Sequence, residues 1–524
     1  MTAVEHPARD GTDGPIRPPV RVPFPVVDEV ARHCLQEEEP ETVHIEVHLP
    51  GRLDPDRLRT AFTQALRCHP RILMREAPGP WYRRRYEWEL TSGPDVEVVS
   101  FTSADSDALR NARTRALLEA PPLSLSPPIR LEVVEGAGRA VGSEATDAVG
   151  EATVGRRTDS ATGPQAARGG PPRSAAPGAG TAATDPAVGL RAAGGSARPE
   201  ESDTPRGASS PSRPGAGPTP GHPAPKGTVL FLTINHTALD GPACLRILAT
   251  AAELYGGKDN TPAAPPMRTP DATDTPQVDT PSTWTPPARV APGAPEPSPG
   301  NGLLVTELNV PRRPKGSPYT VNDQLMATTA LMLAHWNREH GARPRPLRIT
   351  MPVDDRPRDA DMPIGNGTRL VEVTFTPEEV DAHRMSELLR RTAHRTRALK
   401  SLDRPQLGYG AALLTAPVVP VAWRAAVTRG LRRAAGPWTS TTLLSNIGRI
   451  PYPLDFGETA GRAHAVWFSA PARMPRGLTV TTASTAGRLH LALRWSRTLL
   501  SHGDGAHLRD LFEHYLHATE GDTP

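Results

Sequence analysis

The feature that most limits how this chain can fold is an interruption. From Gly136 to Lys226 ("GAGRAVGSEATDAVGEATVGRRTDSATGPQAARGG…") it contains no Phe, Trp, Tyr, Ile or Met, and is filled with Gly, Ala, Pro, Ser and Thr. Such a composition cannot bury enough apolar surface to offset the entropy of ordering it, so the segment reads as disordered. Two apolar runs flank it, "PPIRLEVVE" (127–135) and "TVLFLTIN" (228–235), both with the length and content of strands. Loop-closure entropy rises only slowly with loop length, so neighbouring strands can stay paired across a very long tip. The expectation is a single hairpin with an outsized loop. A second stretch, 258–301, is Pro- and Thr-rich and reads as an extended linker.

These segments divide the chain. Residues 1–15 are expected to be disordered, 16–257 to form an N-terminal half carrying the insert 136–226, 258–301 to link, and 302–524 to form a C-terminal half. A chain of 524 residues supports such a division without staples. The three cysteines, Cys34, Cys68 and Cys244, are far apart and form no CxxC pair, so neither a disulfide framework nor a metal site is expected, and a reducing cytoplasm fits. The N-terminus has no apolar signal-peptide core, and no run reaches membrane-helix length. Net charge is +3, with arginines scattered among acids; a nucleic-acid surface would cluster them, so no nucleic-acid partner is expected. The protein is expected to be a soluble monomer.

Outside the interruptions the pattern is mixed α and β. "TVHIEVHLPG" alternates Val43, Ile45, Val47 and Leu49, predicting a strand with one buried face. "DPDRLRTAFTQALRCHP" opens on Asp54 as a cap and places Leu58, Phe62, Ala65 and Leu66 at helical spacing. "PACLRILATAAELYGG" predicts a helix directly after the strand 228–235. The second half reads as strand "LLVTELNV", helix "TVNDQLMATTALMLAHWNREHG" capped by Asn322, strands "LRITMPV" and "RLVEVTF", and helix "VDAHRMSELLRRTAHRTRAL". Strands "STTLLSNIG", "HAVWFSAP", "GLTVTTAS" and "RLHLALRW" and a closing helix then follow. Each half should be a layer of helices on a sheet.

One junction stands apart. The strand 228–235 stops on Asn235 and His236, and Asp240 and Gly241 open the next helix. "NHTALDG" resembles the HHxxxDG signature of the chloramphenicol-acetyltransferase-like superfamily, which includes condensation domains of nonribosomal peptide synthesis and free-standing acyltransferases. The likeness extends further: "RTAFTQALRCHPRILMR" resembles that family's early helix and RHPxLR element, "YTVNDQLMATTALML" its TxNDxxLAA helix, "ITMPVDDRP…GN" its PVxxR…GN strand and turn, and "LLSNIGRI" its SNxG strand. These elements stand in the family's order and cover nearly all of the chain outside the two interruptions.

The resemblance implies an α/β fold of two acetyltransferase-like mixed-sheet sandwich halves, set as a V around a central channel. It implies His236 as catalytic base at mid-channel, with Asp240 structural and salt-bridged to an arginine; Arg356 is the natural partner, with Arg71 and Arg75 as alternatives. It implies no bound cofactor, an acyl-CoA or acyl-phosphopantetheine thioester as co-substrate, CoA or an acyl carrier protein as donor partner, and an alcohol or amine acceptor, in bacterial secondary metabolism. Asn235, Ser445 and Asn446 are candidates to line the channel.

The chemistry also follows from the residues. Acyl transfer to a hydroxyl or amine needs a group that takes the acceptor's proton near neutral pH, and neutral imidazole suits this best. A lone histidine at a strand end can equally serve the backbone. Asp240, just before Gly241 and Pro242, is also placed to cap a helix, and Gly241 is expected to permit a close backbone approach. Ser445 can serve as a strand serine that satisfies backbone. The sequence departs from the signature at Asn235, which stands where the first histidine is usual and keeps open a second reading, an inactive module of the same fold that docks a carrier protein or synthetase.

One test follows from composition alone. Replacing most of Gly136–Lys226 with a short Gly-Ser turn is expected to leave the thermal transition nearly unchanged, and calorimetry that finds no transition would refute the hairpin-tip reading. Rapid amide exchange across the segment in the intact chain should accompany this result.

Overall fold

A computed structural model describes residues 19–138 (except 37, 103, 104 and 106), 227–257, 285–402 (except 355, 357–361 and 363) and 411–521. The N-terminal half is built on a five-stranded sheet in the order β12 (Ala465–Ser469), β2 (Thr42–Leu49), β7 (Gly227–Asn235), β6 (Ile129–Gly138), β5 (Val99–Thr102). Strands β6 and β7 pair antiparallel from Ile129↔Ile234 to Gly138↔Gly227, so the expected hairpin is present. Residues 136–138, expected to belong to the insert, instead continue β6; the remainder, 139–226, lies outside the described residues, as do residues 1–15. Helices α2 (Pro55–Cys68), capped by Asp54, and α4 (Gly241–Gly256) pack together over the main apolar core of this half. A small sheet, β1 (Arg21–Pro23), β4 (Glu87–Leu90) and β3 (Met74–Glu76), flanks it.

All eight residues of β2 are buried, where alternation predicted one open face. Helix α3 (Ala108–Leu118) contacts the strand, and its Arg113 reaches Glu46 with Nε to Oε2 at 3.0 Å and Nη2 to Oε1 at 2.8 Å, while His48 bonds the same carboxylate at 2.7 Å. A polar position in the pattern thus became a buried ion pair and not a solvent-facing one.

The C-terminal half carries a six-stranded mixed sheet in the order β10 (Arg369–Phe375), β9 (Leu347–Val353), β11 (Thr442–Arg449), β13 (Leu478–Thr485), β14 (Arg488–Ser496), β8 (Asn301–Asn309). Strand β11 runs parallel to β9 and β13, and the other pairings are antiparallel. Helices α5 (Val321–Glu339), α6 (Met385–Ser401) and α10 (His502–Ala518) supply a second core through residues such as Trp336, Leu388 and Phe512. The cap of α5 is Thr320, in a reciprocal box with Asp323, and not Asn322; Asn322 sits one residue inside the helix and bonds the side chain of Asn446 at 3.2 Å.

Two boundaries differ from the sequence expectation. Residues 464–471, assigned to the C-terminal half, supply β12, which joins the N-terminal sheet along β2 from Ala465↔His48 to Ser469↔His44. The linker 258–301 ends early: Ala288, Val290 and Ala291 are buried in the C-terminal core, and the backbone of Ala291 bonds Asn337 and Trp336. Residues 258–284 lie outside the described residues. Helices α1 (Val26–His33), α7 (Ala411–Leu414), α8 (Val421–Ala434) and α9 (Gly457–Ala460) complete the set. None of the described helices is long and apolar enough to cross a membrane.

Candidate active site

The site forms where β7 stops. His236 is the first residue past the strand, and its backbone N–H donates to the carbonyl of Glu41 at 2.8 Å, just before β2 begins. Its ring Nδ1 lies 2.9 Å from the carbonyl oxygen of Leu239. A carbonyl can only accept, so Nδ1 carries the proton in the neutral ring and the basic lone pair is on Nε2.

Asp240 fixes the turn. Its Oδ1 accepts from the backbone N–H of Ala243 at 3.1 Å, capping α4. Arg356 Nη2 donates to Oδ1 at 2.9 Å and to Oδ2 at 2.8 Å. The N–H groups of Gly367 and Thr368 reach Oδ2 at 2.8 and 3.1 Å. Arg356 in turn bonds Asp354 at 2.8 Å through Nε and the carbonyl of Gly365 at 3.0 Å through Nη1. Burial acts to lower the guanidinium's pKa; its bonds to Asp354 and Asp240 outweigh that and hold it above the usual arginine value. Of the alternative partners, Arg75 pairs instead with Glu89 and Asp95, and the charge of Arg71 acts on Asp28.

Next to this latch sits Asn366, the asparagine of the quoted "GN" turn. Its Nδ2 donates to Asp28 Oδ1 at 2.9 Å and lies 3.0 Å from the carbonyl of Thr237 and 3.2 Å from that of His236. Asp28, on α1, also accepts from Trp88 Nε1 at 3.0 Å. Burial pushes its carboxyl up to about 6; the bonds from Asn366 and Trp88 and the charges of Arg71 and His236 pull the other way. Nothing in the sequence around Asp28 marked it, whereas Asn366 lay inside a recognised motif.

A cavity of about 560 Å³ opens at His236. Asp240, Gly241 and Ser445 are on its wall, with aliphatic side chains such as Val30, Val43 and Leu443 and the ring of Phe468. Asn235 and Asn446 are not. Asn235 is buried, with its amide donating to the carbonyl of Pro121 at 3.1 Å and accepting from Thr237 N–H at 3.1 Å, so it holds the loop from behind. Asn446 spends its amide on Asn322, on Thr482 and on Gly448 N–H, across the register shift of β11. The close backbone approach expected at Gly241 is absent: a Cβ there would meet Phe468 at 3.6 Å and Ile447 at 3.8 Å, ordinary contacts on the cavity wall.

No protein-family profile matches the chain. Two uncharacterized proteins of Mycobacterium tuberculosis, MT2362 of strain CDC 1551 / Oshkosh and Rv2305 of strain H37Rv, are each 28% identical over 284 residues. The match spans 47% of this chain and 62% of each relative's length. Among solved structures, the trichothecene 15-O-acetyltransferase TRI3 of Fusarium sporotrichioides superposes with a TM-score of 0.53 at 11% identity over 95% of both chains. The first condensation domain of the CDA synthetase gives 0.54 at 13% identity over 96% of this chain and 97% of that one. A mutant starter condensation domain of the rhizomide synthetase RzmA, in complex with C8-CoA, gives 0.52 at 13% over 94% and 93%. The chain therefore has the fold of the chloramphenicol-acetyltransferase-like superfamily, with its two mixed-sheet halves.

Two tests follow. Breaking a buried ion pair by removing one partner typically costs about 3–5 kcal/mol. Asp240→Asn and Arg356→Ala are each expected to lower stability in denaturant titration by up to that amount, with the double variant well short of the sum because the residues bond directly. Strict additivity would contradict the latch. The second concerns Asp28: the folded carboxyl keeps its proton to about pH 6, while the ordinary aspartate value is 3.8. The folded state thus binds more protons between those values, so this group makes stability fall as pH rises from about 4 to 6. Asp28→Asn should flatten that fall, as read from urea midpoints at pH 4 and pH 7.

Proposed function

We propose that this protein is an acyltransferase that moves an acyl group from a thioester, of CoA or of a carrier protein's phosphopantetheine arm, onto a hydroxyl or amine, with His236 as general base. The observation that carries the reading is the bond from His236 Nδ1 to the Leu239 carbonyl at the cavity wall, because it leaves Nε2 as the proton acceptor. The acceptor's oxygen or nitrogen attacks the thioester carbonyl as its proton passes to Nε2. Collapse of the tetrahedral adduct breaks the C–S bond, and the imidazolium returns the proton to the departing thiolate. The products are an ester or amide and a free thiol. The likeness in fold to TRI3, an acetyltransferase, and to the RzmA domain that binds C8-CoA supports the choice of chemistry and donor.

Asn235, in place of the first signature histidine, is the one residue that favours an inactive docking module. Its amide bonds to Pro121 and Thr237 give it a role in shaping the loop that asks nothing of a second imidazole, which favours the catalytic reading.

His236→Ala is expected to lower turnover by roughly 10²- to 10⁴-fold while thioester binding persists. The assay is free-thiol release from acyl-CoA and, separately, from acyl-loaded carrier protein. Wild-type turnover in His236→Ala would leave the docking module as the better account.

A further inference from the structure

The cavity carries more positive charge than its own residues neutralise. Arg432 reaches its wall from α8, and Arg473 and Arg476 from the segment between β12 and β13. The wall's carboxylates are Asp240, already engaged by Arg356 and three backbone N–H groups, and Glu41. Glu41 pairs with Arg473, whose Nη1 also donates to the carbonyl of Cys34 at 2.7 Å. Arg476 donates through Nε and Nη2 to the Ser440 hydroxyl at 3.2 and 3.0 Å, with Thr350 Oγ1 at 3.5 Å. Its Nη1 has no protein acceptor among the described residues, and the guanidinium of Arg432 has no hydrogen bond or ion pair there. Glu372, a further carboxylate acting on Arg476, is shared with Arg348 at 3.7 Å.

The three guanidinium groups feel one another. Burial pushes Arg476 down to about 10; Glu372 and Glu41 oppose this, while Arg473 and Arg432 add repulsion. Arg473 is lowered too, by burial first, against Glu41, with Arg432 adding repulsion. Like charges gathered on a mostly aliphatic wall are costly until an anion joins them, and the planar fork of arginine suits a carboxylate or phosphate.

We propose that the group formed by Arg432, Arg473 and Arg476 is a binding subsite for an anionic group, a carboxylate, borne by the acyl chain or acceptor that reacts at His236. This rests on the acyl-transfer reading for what reacts but not for what binds. Glu41 joins the two features, since its carbonyl accepts the His236 N–H and its carboxylate holds Arg473. That closeness argues against the phosphates of the donor: in CoA or a carrier protein they are separated from the thioester sulfur by the whole pantetheine arm with its two amide units. The aliphatic wall beside the arginines fits an amphiphile with an apolar body and a charged end.

Isothermal titration calorimetry on the full chain tests this with dodecanoate, dodecanol and adenosine 3′,5′-bisphosphate, below micelle-forming concentrations. Dodecanoate should bind about tenfold or more tightly than dodecanol, the scale of one charge-assisted bond. Arg476→Met and Arg432→Gln should each erode that preference and together remove it, while Arg429→Gln, on the exposed face of α8, should not. Equal binding of acid and alcohol, or a preference that survives the double variant, overturns the proposal. So does competition between the bisphosphate and dodecanoate that is lost with Arg476→Met, because it would assign the arginines to the donor's phosphates. Arg432→Gln keeps the test valid if Arg476→Met fails to fold. His236→Ala should retain the acid preference, so a failure of general-base catalysis would show in turnover and a failure of the subsite in binding.

Discussion

A single carboxylate holds this site together. Asp240 caps α4, which belongs to the N-terminal half, and accepts from Arg356, Gly367 and Thr368, which lie in the connection between β9 and β10 of the C-terminal half. If the carboxylate moved, the N–H groups of Ala243, Gly367 and Thr368 would lose their acceptor and Arg356 would keep only its bonds to Asp354 and Gly365, so the turn from Asn235 to Gly241 has little freedom. His236 inherits its position from that rigidity. Its Nδ1 bond to Leu239 lies within the same turn, and Asn366 reaches the carbonyls of His236 and Thr237 from the C-terminal side. The ring's tautomer is thereby a consequence of a latch four residues away.

Much of this was legible in the chain. The strand-to-helix junction, the capping aspartate and the arginine of "PVDDRP" could be named because each follows from local pattern or from a recognised motif. Asn235 and Asn446 were misplaced for a common reason. Both sit beside residues that do reach the cavity, and successive residues of a strand face opposite sides, so a register that places Ser445 on the wall turns Asn446 toward α5. Asp28 and the arginine group were invisible for a different reason. They come from α1, from α8 and from the crossing between β12 and β13, segments that share no local pattern and meet only in the folded chain. Burial in β2 was misread because alternation reports the difference between two faces, and a helix that covers the second face with paired charges leaves the pattern intact.

The cavity places unlike chemistries next to one another. On one side is an imidazole whose Nδ1 is held by the Leu239 carbonyl, and one residue away is a set of guanidinium groups with Glu41 among them. Aliphatic side chains fill most of the remaining wall, which lowers the local dielectric and strengthens both effects.

The strand exchange between the halves has a consequence for how the chain is made. Strand β2 ends at Leu49, and the partner for its outer edge, β12, begins at Ala465. During synthesis from the N-terminus, that edge must wait for roughly four hundred further residues to leave the ribosome before its backbone groups are paired. The nascent N-terminal half is thus a four-stranded sheet with an open border, a natural place for a chaperone to hold or for another nascent chain to add a strand. That border is closed only when β12 is made, just before β13 and β14, the last two strands of the other sheet.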